Sequence, residues 1–231
     1  MPANITVLYE DSDLLVLDKP VGVSVGDLKS GDIQDSVLEW LGTRTEVKPG
    51  TGVTDFVLRL GILHRLDKET SGVMLVAKNR ATFDYISELF RTRQVKKTYE
   101  VLVHGWVKDT DFEIRAPVGR DRRVGVKFAV GERGRESVTR FKLIQKLKIA
   151  GQDYSYLESM PETGRTHQIR VHLAALGRPI VGDIKYLGKN LLNAHKTPFT
   201  RMMLHAKTIE FTDNHGLVRK FASPLTLAAE F

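Results

Sequence analysis

Short apolar runs separated by polar turns dominate the first hundred residues. Residues 5–9 (ITVLY) and 14–18 (LLVLD) are rich in β-branched residues and leucine, and EDSD between them is turn chemistry. They predict a hairpin, which KPVG at 19–22 ends. DSVLEWLG (35–42) predicts a short helix with Asp35 as its N-cap and Gly42 at its close. The polar, Gly/Pro-marked stretch 43–55 predicts a loop. GILHRL (61–66) predicts a strand. VMLVAK (73–78) is too apolar for a solvated face and predicts a central strand. NRATFDYISELFRTRQ (79–94) predicts a helix capped by Asn79, with Phe83, Ile86, Leu89 and Phe90 on one stripe that belongs to the core.

Further on, KKTYEVLVHGWV (96–107) alternates as a strand does, and 108–148 reads as β-rich and basic, with GRDRR (119–123) and GERGRE (131–136) as turns. YSYLES (154–159) predicts another strand. GRTHQIRVHLAALG (164–177) predicts a helix with Leu173 and Leu176 inward and Gly177 at its stop. MLHAKTIEF (203–211) and LVRKFA (217–222) predict a late hairpin around DNHG. Strands outnumber helices and are not regularly separated by them. The pattern therefore predicts an α+β fold with a mixed, largely antiparallel central sheet and flanking helices. No repeat, low-complexity tract or clean linker divides residues 1–231, so a single domain, with room for two lobes, is expected.

Charge adds a partner class. Lys+Arg is 35 against 28 Asp+Glu, a net +7, which favours a polyanion. The absence of cysteine excludes disulfides, thiolate nucleophiles and cysteine-held metal clusters. The N-terminus lacks the pattern of a signal peptide, and no apolar run approaches the roughly 20 residues of a membrane span, so a cytoplasmic protein is expected. Neither a phosphate loop, nor GxGxxG after a strand, nor HExxH, nor a G-x-S-x-G elbow occurs. GERG resembles a GxxG loop but lies between strand-like segments. His167 and His172 are five apart on a predicted helix and face different ways, so no metal site is expected.

Carboxylate and arginine chemistry remains. HRLDKETSG (64–72) places Asp67 between Arg65 and Lys68. A nearby cation favours the ionised carboxylate that a nucleophile or base requires. An aspartate in a bend also commonly caps its own backbone, here the amide of Glu69 or Thr70. TGRTHQIR (163–170) puts Arg165 just before a helix, with His167 and Arg170 three apart on one face. Cations crowded at a helix N-terminus oppose the macrodipole and call for an anion, which could be Asp67, a phosphate, or both. Tyr99 lies in the basic context KKTYE, where a half-buried strand tyrosine is the plain reading.

In this order, HRLDKETSGVMLVAKN, KKTYEVLVHG and PETGRTHQIRVHLAALGRPIVGDIKY closely resemble the RluA-type pseudouridine synthases. LYEDSDLLVLDKPVG, IRAPVGRDRR…GRESVTRFKLI and MLHAKTIEF look like the same family, so the resemblance covers roughly 5–226. The related RsuA-type motif usually reads GRLD. The resemblance implies the pseudouridine synthase fold with its catalytic cleft, and isomerisation of uridine to pseudouridine within ribosomal or transfer RNA. By it, Asp67 is the catalytic aspartate, Tyr99 the tyrosine that stacks on uracil, and Arg165 the arginine that pairs with the aspartate. Arg65 matches an arginine that enters the RNA where the base leaves. His64, Lys97, His167 and Arg170 join Arg65 as expected RNA contacts. No cofactor, metal or membrane is implied, and a monomer is expected. Some relatives carry an N-terminal S4-type domain, and this chain is expected to start at the catalytic domain. Members often have histidine where this sequence has Gly26, and FxHP where it has FTDNHG. The rivals are a non-catalytic RNA-binding protein of the same fold and a glycosidase-like hydrolase. The latter needs a second carboxylate, for which Glu69 is the nominee.

Overall fold

A computed structural model of the chain describes residues 4–26, 33–44, 54–121, 127–188 and 198–231. The chain divides into two compact units, Met1–Val95 with Ala206–Pro224, and Lys96–His205 with Leu225–Phe231. The strand ladders within each unit are antiparallel, and the helices among the described residues are few, as an α+β fold requires.

The first unit is built on the N-terminal hairpin. β1 (Thr6–Glu10) pairs with β2 (Leu14–Lys19), and a bulge between Val7 and Tyr9 shifts the register. β2 pairs in turn with β3 (Ser71–Ala77), from Leu14↔Ala77 to Lys19↔Gly72. All seven β3 residues are buried, as a strand apolar on both faces should be. α1 (Val37–Gly42) and the single turn α2 (Asp55–Leu58) precede β3, and α3 (Arg80–Arg91) follows it. Asn79 caps α3 by accepting the Thr82 N–H at 2.9 Å, and Phe83, Ile86 and Leu89 face a core with Val16, Leu75 and Ile209. β10 (Leu204–Thr212), from Ala206 onward, and all of β11 (Val218–Ala222) complete this unit.

Gly72 decides how closely β3 and β10 approach. Its φ is +116°, and a Cβ there would lie 2.2 Å from the Ala206 carbonyl oxygen. Any side chain would force the strands apart beside the 64–72 motif.

In the second unit, β4 (Lys96–His104), β5 (Asp111–Arg115), β8 (Val138–Ile149) and β9 (Gln152–Pro161) form a sheet in the order β4-β9-β8-β5. β6 (Val118–Arg120) and β7 (Phe128–Val130) form a separate short ladder. Val101 and Val103 pack on one face of β4 with Phe141, Leu157, Ile169 and Leu173 of helix α4 (Gln168–Ala175). Leu102 packs on the other face with Tyr154, Val181 and Met203.

Four local expectations change. Ser36, not Asp35, caps α1: its Oγ accepts the Glu39 N–H at 3.1 Å, while Asp35 lies at φ +50° and its N–H donates to Glu39 Oε2. Residues 61–66 form no strand beyond a single bridge, Ile62↔Val76. The Leu63 N–H reaches the Leu75 carbonyl, but the Leu75 N–H donates to the His64 ring instead of returning to the backbone. The last helix begins at Gln168 because His167 adopts φ +57°, which breaks helical continuity. Leu176 lies beyond that helix and is exposed, while Leu173 is buried. Most of the 43–55 loop and part of GRDRR lie outside the described residues.

Candidate active site

In the first unit, the Asp67 turn stands between two buried anchors, Leu66 and Thr70, and Asp67 itself is half-buried. The main chain closes the turn: the Asp67 carbonyl accepts the Thr70 N–H at 3.1 Å. The amide expected to be capped is thus held by the backbone oxygen. Arg65, Lys68 and Glu69 are exposed around it.

A residue with no functional signal in the sequence, Lys19, supports this turn. Lys19 ends β2 and is fully buried. Its ammonium donates to the carbonyls of Pro20 (2.9 Å), Val23 (2.8 Å) and Lys68 (3.3 Å). Three acceptors match the three protons of an ammonium, and a neutral amine would leave one unserved. Burial pushes the Lys19 pKa down to about 8, against the pull of the Asp67 and Glu69 carboxylates, which raise it. The Gly22 N–H also reaches the Lys68 carbonyl, at 2.8 Å. Two bonds from the KPVG segment therefore grip the residue after Asp67. The available signal was a lysine closing a strand whose first four residues are apolar.

His64, an expected RNA contact, turns one ring nitrogen inward. Its Nε2 accepts the Leu75 N–H at 3.0 Å, which requires a neutral ring, and that ring lies against Phe90 at 5.1 Å. It is a clamp between the motif and β3.

In the second unit, Tyr99 is half-buried on β4 opposite Ser159 and packs against the core around Leu157. Lys97, two residues earlier on the same face, is pushed down to about 8 by burial. Arg165 lies in the 163–167 turn before α4, and its Nε reaches the Glu136 carbonyl at 3.5 Å.

A buried network holds that turn. Gln168 Oε1 accepts from Thr163 Oγ1 (2.7 Å) and the Arg165 N–H (3.0 Å). Its Nε2 donates to the Val138 carbonyl (3.0 Å) and to Thr139 Oγ1 (2.9 Å). Thr139 Oγ1 bonds His172 Nδ1 at 2.9 Å, and His172 Nε2 bonds the Ala116 carbonyl at 3.1 Å. A carbonyl only accepts, so Nε2 carries the proton, Nδ1 accepts from Thr139, and the ring is neutral. Every bond direction agrees along the chain from Ala116 to Arg165. In the sequence alone His172 is only half of a histidine pair with the wrong spacing for a metal, and Gln168 carries no signal of its own.

Burial lowers the His172 pKa from 6.5. The unfolded chain therefore takes up a proton near pH 6.5 that the folded chain refuses until lower pH. The stabilisation from neutral His172 is complete above pH 6.5 and is lost as pH falls below it. The melting temperature should drop between pH 7.5 and 5, and His172→Gln should flatten part of that slope. Identical slopes in the two proteins would rule out this assignment.

His167 and Arg170 meet at a third residue, Tyr186. The Tyr186 hydroxyl bonds His167 Nδ1 at 2.7 Å and accepts the Phe128 N–H at 3.1 Å, while the Arg170 guanidinium lies 5.2 Å from the Tyr186 ring centroid. Arg170 is not a solvated cation. It is buried, and its Nε and Nη2 engage the buried Asp183 carboxylate at 2.7 and 2.8 Å. That pairing answers the guanidinium's charge inside the fold, unlike the solvated cation expected of a phosphate contact. Arg65 is exposed, and Lys97 and His167 are half-buried; these three stay as RNA-contact candidates.

Residues 13–175 match the family described as RNA pseudouridylate synthase. The chain belongs to the RNA pseudouridine synthase family. It is 33% identical to the "Uncharacterized RNA pseudouridine synthase YlyB" of Bacillus subtilis, over 97% of this chain and 70% of that protein. It is 38% identical to "Ribosomal large subunit pseudouridine synthase D" of Xanthomonas campestris, over 90% of this chain and 61% of the relative, so it falls short of two thirds of that protein's length. Among solved structures, "Human RNA Pseudouridylate Synthase Domain Containing 1" superposes with a TM-score of 0.76 at 29% identity, covering 96% of this chain and 84% of that one. The α+β fold and the RluA-type resemblance thus agree with those of known pseudouridine synthases.

Proposed function

We propose that this synthase isomerises uridine to pseudouridine in ribosomal RNA, with Asp67 as the reacting carboxylate. The observation that carries the reading is the Asp67 turn, fixed by its own backbone and by buried Lys19, in a chain of this family. In the reaction the uracil N1–C1′ bond breaks, the base turns over, C5 bonds C1′, and the C5 proton leaves as N1 gains one. Atoms balance without any redox partner. Tyr99 stacks on the uracil, Arg165 supplies a cation to the aspartate, and Arg65 enters the space the base vacates. Flipping a uridine out of paired or stacked RNA costs a few kcal/mol. Phosphate contacts of a chain with net charge +7 offset that cost.

The names of relatives such as the Xanthomonas protein favour ribosomal over transfer RNA as substrate. No helix among the described residues is long and apolar enough to cross a membrane, and a cytoplasmic monomer fits the reading. The test is tritium release from unmodified ribosomal and transfer RNA transcripts labelled at uridine C5. Release from the ribosomal transcript is the expected result. Release from transfer RNA alone would reassign the substrate, and release from neither would overturn the activity.

A further inference from the structure

The chain has two tryptophans. Trp40 is buried on α1, and Arg44 lies over it at 4.4 Å. Trp106 is the opposite case, at 45% exposure just past the end of β4. It is nonetheless tightly fixed. The Gly105 N–H donates to the Asp153 carbonyl at 2.7 Å, the Val107 N–H to Ser155 Oγ at 2.9 Å, and Ser155 Oγ to the Gly105 carbonyl at 2.9 Å. These bonds pin the 105–107 backbone to β9. The indole N–H then reaches past β9 to the Leu147 carbonyl on β8, at 3.3 Å. One edge of the ring is anchored while the ring remains open to solvent.

Cations flank the segment that bears it. Arg178 Nε donates to the Trp106 carbonyl at 3.0 Å. Lys146 pairs with Ser155 and Lys148 with Asp153 across the β8–β9 ladder, so both lysines share the face on which 105–107 is pinned. Asp153 lies 3.7 Å from Lys148, and neither Lys146 nor Arg178 has an acidic partner among the described residues. A rigid, exposed indole among three cations and one carboxylate matches the chemistry of a single-stranded nucleic-acid platform, in which bases stack on aromatics and cations hold phosphates. The same strand carries Tyr99. Tyr99 and His104 are five positions apart, about 17 Å of extended chain, or roughly five base steps of a duplex.

We propose that Trp106, with Lys146, Lys148 and Arg178, is a second RNA contact that stacks an unpaired base of the substrate several nucleotides from the target uridine. The proposal rests on the RNA reading above. In a Trp40→Phe background, Trp106 is the sole tryptophan, and its emission reports the site directly. Titration with an unmodified large-subunit ribosomal RNA transcript should quench that emission. Trp106→Ala should weaken RNA binding about 5- to 150-fold, the range for one stacked base. Trp106→Phe, which keeps an aromatic face, should retain most of the affinity, and melting temperatures check that each variant folds. Lys146→Ala with Lys148→Ala should lower the salt slope of log K by about two. Unchanged emission and equal affinity of Trp106→Ala, with the wild type still releasing tritium, would overturn this site and leave the activity standing. Indifference toward naked RNA, with binding to ribonucleoprotein particles lost in Trp106→Ala, would overturn it in favour of a protein partner. Absence of tritium release from any RNA would remove the activity, and this site with it.

Discussion

Asp67→Asn is expected to lower tritium release by about four orders of magnitude or more, the scale seen when a nucleophile is removed, with the RNA Kd within about twofold of wild type. The structure makes this a clean substitution. The bonds that shape the turn use backbone atoms: the Asp67 carbonyl with the Thr70 N–H, and the Lys68 carbonyl with Lys19 Nζ and the Gly22 N–H. Asparagine keeps the side chain's shape and leaves those bonds untouched. It removes the charge, the reacting oxygen and the carboxylate's pull on buried Lys19, so an unchanged melting temperature is the check that the turn is intact. Single-turnover tritium release and filter binding on the same RNA transcript separate the two effects. Substantial turnover by the variant would show that another group does the chemistry. Equal loss of binding and rate would mean that Asp67 shapes the RNA site instead of reacting in it.

The parts of this molecule legible in the sequence are those where one short segment carries its own reason. The ITVLY–EDSD–LLVLD hairpin, the apolar VMLVAK strand and the Asn79-capped helix each declare themselves through alternation, apolarity or a cap followed by a stripe. Legibility fails where a side chain does a backbone's work or where the partner is distant in sequence. Residues 61–66 have strand composition, but the His64 ring takes the Leu75 donor that a ladder would have used. Asp35 and Ser36 are both good caps, and only the backbone angles choose between them. Lys19 looked like a strand terminator because its link to Lys68 spans 49 positions. The helix start at Gln168 hides because His167 adopts a left-handed conformation that β-carbon sterics disfavour, with its ring held by Tyr186, 19 residues away. The motif that carries the candidate site was readable. The residues that hold it rigid were not, because they are defined by contacts and not by spacing.

Arg170 shows that difference most sharply, and its substitution carries the largest stability effect expected here. Read in GRTHQIR it is a surface cation for phosphate. In the fold it is a buried partner of Asp183, whose Oδ1 also accepts the N–H groups of Lys185 (3.2 Å) and Tyr186 (3.3 Å). Arg170→Met strands a buried carboxylate, which typically costs 3–5 kcal/mol, or roughly 10 °C in melting temperature for a chain of this size. Because Asp183 also orders the turn bearing Tyr186, the loss should spread to His167 and the start of α4. Adding Asp183→Leu removes the stranded charge, so the double variant should recover part of the loss, with a coupling of about 2 kcal/mol or more. A phosphate contact would behave differently. Arg170→Met would then leave the melting temperature within about a degree of wild type, and the salt slope of RNA binding would fall by about one. Thermal melts of the two single variants and the double variant, with RNA binding at two salt concentrations, decide between a buried strut and a hand on the RNA.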